Sequence, residues 1–142
     1  MILNYTNRLI MPIGFSLMLA CGGSQEALIS SQEIQTAQAQ GRLSDLYQKA
    51  DRLVLENRGS AKDEAIALKS KIGKLLIDKK NQQVESLLSA FNVSQKGEGN
   101  SDEQSVSRKD LTQLLVSIEE MKSWSATSHA LAKGKIERAI NK

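Results

Sequence analysis

Proline is almost missing from this chain. The single example is Pro12, so after that point no residue removes a backbone donor from a helix. Cysteine is equally scarce. Cys21 stands alone, which excludes an internal disulfide and a cysteine-based zinc site. Aromatic residues make up 4% of the sequence, and beyond Tyr5 and Phe15 they are Tyr47, Phe91 and Trp124, so a core must be mainly aliphatic. Histidine occurs once, as His129. Neither sign of charge dominates: 19 basic residues face 16 acidic ones, a net of +3. That balance gives no electrostatic case for a nucleic-acid partner. Nor does any apolar run approach the roughly 20 residues that a membrane-spanning helix needs.

What the chain does have is a short apolar stretch that stops at its one cysteine. Residues 9–20 read Leu-Ile-Met-Pro-Ile-Gly-Phe-Ser-Leu-Met-Leu-Ala, and Arg8 just before them is the only charge among the first 25 residues. A basic residue, an apolar segment too short to span and a small residue at the cut site make an export signal over 1–20. Leu17-Met18-Leu19-Ala20-Cys21 resembles the lipobox of bacterial lipoproteins. The resemblance implies cleavage before Cys21, a diacylglyceryl thioether on its sulfur and acylation of the new amine. In enteric lipoproteins an Asp after the cysteine signals retention in the inner membrane. Gly22 at that place therefore implies the outer membrane, with the inner membrane as the alternative. Losing 20 of 142 residues leaves 122, enough for one domain, and losing Arg8 lowers the net charge to +2. Two or more acyl chains hold a protein stably at a bilayer.

The mature region reads as all-α. Leu, Ala, Lys, Glu, Gln and Ser predominate, and no alternating strand pattern occurs. Residues 21–42 form a lipidated tether and a polar helix, with Ser30 and Glu33 at capping-box spacing and Gly41 as a break. Residues 43–142 form the helical domain. Leu43–Glu56 is amphipathic through Leu43, Leu46, Tyr47, Ala50, Leu53 and Val54, and Asn57-Arg58-Gly59-Ser60 supplies turn chemistry. A helical region from Ala61 to Phe91 carries two apolar stripes separated by Asp78-Lys79-Lys80-Asn81-Gln82-Gln83. The polar gap leaves nothing to hold a helix against a partner, so a break at Asn81 is expected. Residues 92–107 read as a flexible loop, rich in Gly and Ser. Ser107 and Asp110 then repeat the cap before Lys109–Asn141, where the run Ser123-Trp124-Ser125-Ala126-Thr127-Ser128 predicts a kink or break. Short turns make neighbours antiparallel, so the expected fold is a small bundle of antiparallel helical hairpins behind an N-terminal signal segment.

Candidate sites are few. His129 has serines nearby in sequence but no Gly-x-Ser-x-Gly elbow, and a surface or capping role beside Ser128 is the expectation. The Gly-Glu-Gly-Asn-Ser-Asp-Glu run at 97–103 lacks the alternating acidic spacing of a calcium loop. Asn92-Val93-Ser94 matches a glycosylation sequon by chance. Glu119-Glu120 reads as a solvated helix face. Trp124, set among small polar residues, is either a core contact or the mark of a partner-binding patch. Lys142 ends the chain, as lysine ends the murein lipoprotein of enteric bacteria, whose heptads are absent here.

No metal site and no cofactor is expected. The sequence points to a lipoprotein in the outer membrane, its body facing the periplasm. It would act as a non-catalytic adaptor or accessory subunit of an envelope assembly and bind a protein partner. A peptidoglycan-linked spacer joined through Lys142 and a surface-exposed binding or immunity protein are the rival readings.

Overall fold

The computed structural model describes residues 28–96 and 106–142. The export signal, Cys21 and the 97–103 run lie outside these residues. The all-α expectation holds: the described residues form six helices and no strand. They are α1 (Ser31–Ala39), α2 (Leu43–Glu56), α3 (Gly59–Lys96), α4 (Arg108–Ser117), α5 (Met121–Trp124) and α6 (Ala126–Ile140).

Local chemistry sets most of the boundaries. Ser30 Oγ accepts the Glu33 amide at 3.1 Å and starts α1. Gly41, at φ 70°, ends it in a Schellman turn, where the Arg42 amide donates to the Ala37 carbonyl at 2.7 Å and the Gly41 amide to Gln38 at 3.3 Å. Asn57 closes α2 twice over, donating to the Leu53 carbonyl from its backbone at 3.1 Å and from its side chain at 2.8 Å. Gly59, at φ 60°, then reverses the chain into α3. Ser107 and Asp110 form a complete capping box on α4. The expected break in the Ser/Thr run is present: Ser125 is extended, and its Oγ accepts the Ser128 amide at 3.2 Å to begin α6.

Helix α3 is the spine, 38 residues long and about 57 Å from end to end. Contacts along it fix the direction of its neighbours. Asp51 pairs with Lys69, Tyr47 lies against Gly73, and Gly41 lies beside Lys79, so α2 runs antiparallel to α3. Glu33 pairs with Lys49, so α1 runs back along α2. On the other half, Val106 donates to Ser94 Oγ at 3.3 Å, and Ser117 shares a groove with Gln83, so α4 descends α3. Glu85 pairs with Lys135, while Asn92 and Lys142 line one groove, so α6 ascends again. The molecule is therefore two up-down-up bundles of three helices that share one continuous helix.

Each bundle has its own core. Ile29, Ile34, Ala37, Leu43, Leu46, Ala50, Ile72 and Leu76 form the N-terminal cluster. Val84, Phe91, Leu111, Leu114, Ile118, Met121, Ala132 and Ile136 form the C-terminal one.

Two expectations are corrected. Asn81 does not break the chain, because α3 runs unbroken through 78–83. Those side chains need no apolar partner of their own. The helix is pinned on one side by Ile72 and Leu76 and on the other by Val84, and the turns of both bundles arrive between them. Residues 92–96, assigned to the loop, belong to the helix instead. Phe91 is buried one residue earlier, and Ser94 Oγ both donates to the Ala90 carbonyl at 3.0 Å and accepts the Val106 amide.

Candidate functional site

The seam between the bundles gathers the unusual side chains. At this level Gly41 ends the turn from α1, and Lys80 Nζ meets Glu120 Oε1 at 2.8 Å from the α4–α5 junction. Tyr47 donates its hydroxyl to the Ser123 carbonyl at 3.0 Å, linking α2 to α5 across 76 residues of sequence. Gly73 makes room for that ring: a Cβ there would stand 3.2 Å from Tyr47 Cε2. Lys69 sits 5.5 Å from the ring centroid. Its hydrogen bond to Asp51 raises the ammonium pKa above its ordinary value, with a smaller contribution from Tyr47.

Trp124 packs against both clusters and is half-buried. With Tyr47, Lys69, Gly73, Asn81 and Ser128 it also lines an open cleft of about 520 Å³. Its place at the joint explains why a large ring occurs among small polar residues: the ring closes a gap between two aliphatic cores, and its small neighbours form the turn that carries it.

His129 is not on the surface. It is 5% exposed, in the first turns of α6, and its Nε2 lies 3.1 Å from Glu119 Oε1. Glu119 stands in the turn after α4, a break that the serine pattern did not announce, and it holds Lys122 through its other oxygen. Lys122 first and His129 second hold the Glu119 carboxyl below its ordinary value. The nearby serine hydroxyls serve the backbone, Ser123 bonding Glu120 and Ser125 capping α6. Among the described residues no buried side-chain polar atom lacks a partner, and no group of three or more His, Cys, Asp or Glu residues is placed to hold a metal. The His129–Glu119 pair thus ties α6 to the α4–α5 turn.

Sequence reasoning missed this pair because two residues ten apart, separated by a turn and a short helix, show no common period. The one available signal was negative: a histidine with Leu131 and Ala132 close behind it can face either way.

Among the described residues, the remaining predicted position, Lys142, is not at this seam. Lys142 follows α6 at the far end of the C-terminal bundle, in a groove with Lys135, Arg138 and Asn92. No helix among the described residues is long and apolar enough to cross a membrane. Compared with known proteins, the chain matches no family model, no curated protein and no solved structure.

Proposed function

We propose that this protein is a lipid-anchored envelope lipoprotein, held through Cys21 in the outer membrane, whose helical body is a non-catalytic adaptor facing the periplasm. The observation that carries the reading is in the sequence: an apolar segment preceded by Arg8 stops at Leu-Met-Leu-Ala-Cys, with the chain's one thiol at the end of it. The fold supports a binding role. Two small cores along one continuous helix form the frame, and its helices display Val116 and Leu131, 71% and 65% exposed, on α4 and α6. A lipid then supplies location and helix surfaces supply contact.

Replacing Cys21 with Ser tests the anchor. The expected result is loss of the protein from the membrane fraction and accumulation of the uncut precursor. A variant that is trimmed normally and still sediments with membranes sinks the proposal. The adaptor role predicts a discrete protein captured by crosslinking at position 116 or 131 in intact cells, absent when crosslinking is done at exposed Gln48 on the other bundle.

A further inference from the structure

The tip formed by the end of α2 and the start of α3 carries the most exposed large apolar side chain of the described residues. Leu55 is 80% exposed, and Ile66, on the first turns of α3, is 48% exposed. Arg52, Arg58 and Lys62, on the same helix ends and the turn between them, are exposed as well. We propose that this tip is a membrane-contact surface that rests in the headgroup region of the bilayer. The inference depends on the lipoprotein reading and adds to it which end of the body meets the lipid.

The argument is one of reach. Ile29 is 2% exposed and belongs to the N-terminal core, so the chain is fixed to the body from that point. Only residues 22–28 separate it from Cys21, and fully extended they span about 25 Å. The spine is about 57 Å long. A sulfur acylated in the bilayer therefore keeps the N-terminal end of the body within about 25 Å of the membrane, less than half the length of the spine, so this end is the one the tether favours for contact. The fixed point is also on the correct side of α2. Ser30, Lys49 and Arg52 line one groove between α1 and α2, and Leu55 follows Arg52 by about one helical turn.

The chemistry of the tip selects the kind of lipid contact. Between residues 52 and 66, Arg52, Arg58 and Lys62 are balanced by Glu56, Asp63 and Glu64. With no net charge, the tip has no need of anionic lipid. Leu55 and Ile66 supply apolar area, and the long basic stems can lie along the interface with their charges in water.

The test uses the mature lipidated protein purified from membranes and reconstituted into phosphatidylcholine vesicles. Because Cys21 would carry lipid, a new cysteine can be labelled alone. An environment-sensitive fluorophore is attached in Leu55→Cys and, as the distal control, in Leu131→Cys. The expected result is a blue shift and a several-fold rise in emission at position 55 on reconstitution, with no change at 131. Adding anionic phosphatidylglycerol should leave the position 55 signal unchanged. Mass spectrometry of the same sample reports the lipid on Cys21. A lipidated protein whose position 55 keeps its aqueous spectrum, or gains the shift only with anionic lipid, overturns this inference and leaves the anchor intact. An unlipidated Cys21 overturns both.

Discussion

In the N-terminal bundle the spine meets a 14-residue amphipathic partner, α2, whose stripe lies along α3 from the Gly59 turn to the seam. In the C-terminal bundle the same spine is covered in three pieces, α4 of 10 residues, α5 of 4 and α6 of 15, each started or stopped by local hydrogen bonds. The cores differ accordingly. The first relies on aliphatic residues around the fully buried Ala50, and on Gly73, which lets Tyr47 lie close. The second uses bulkier Phe91 and Met121, and its bundle also encloses a histidine bonded to a carboxylate. A long stripe can hold a helix pair by burial alone. Short helices such as α4 and α5 bury little each, so their caps and turns must carry more of the stability.

The sharpest way to break the comparison is to damage one core at a time. Ile72→Ala and Ile136→Ala each remove a fully buried side chain and should cost about 3 kcal/mol. Hydrogen exchange is expected to show the larger loss of protection in the bundle that carries the substitution, because Trp124 is the hydrophobic residue packed against both cores. Equal loss in both bundles from either variant would show one cooperative unit.

Trp124→Ala should come next, at about 2 kcal/mol, less than for a fully buried Trp because part of the ring is already solvated. Its characteristic effect is on coupling: a single melting transition in the parent should broaden or split. A uniform downward shift with unchanged width would argue that Tyr47–Ser123 and Lys80–Glu120 suffice to join the bundles.

Cap removal is smaller and asymmetric. Ser107→Ala should lose about 1 kcal/mol, since it deletes both the acceptor for the Asp110 amide and the hydroxyl that donates to the Asp110 carboxylate. Urea melts followed by far-ultraviolet circular dichroism measure it. A loss much below that figure would mean that packing of Leu111 and Leu114 holds α4 without its cap.

Acid provides the gentlest probe. Hydrogen bonds from Ser107 hold Asp110 below its ordinary 3.8, and Lys122 with His129 holds Glu119 below its ordinary 4.5. The folded protein therefore binds protons less readily than the unfolded chain at these groups. Their stabilisation is complete above the ordinary values and is lost as pH falls through the lower, folded-state ones. Both lie in the C-terminal bundle, so its exchange protection should fall first below about pH 4.5. Asp110→Asn with Glu119→Gln should flatten that part of the acid limb. If the slope survives, other carboxylates produce it.

The caps show how much was legible. Ser30 with Glu33, Ser107 with Asp110 and the serine-rich break before α6 were readable because each is a contact between residues three apart, fixed by local backbone geometry. Leu43–Glu56 was readable because its stripe repeats with the helical period. The 78–83 gap misled for the same reason. Locally it has nothing to bury, and only the bundles packed on either side keep it helical. His129 and Trp124 were visible as residues, but their burial depends on Glu119, on α2 and on two cores assembled from distant segments.

By itself, the sequence determined that this protein is helical, where most of its helices begin and end, and that its lone cysteine follows an apolar run, because those properties depend on neighbours within about one turn. The tertiary structure alone decided that one helix serves two cores, that the polar gap in it is a seam, and that a histidine is enclosed. Those outcomes depend on which surfaces meet, and segments distant in sequence are matched only when the chain packs.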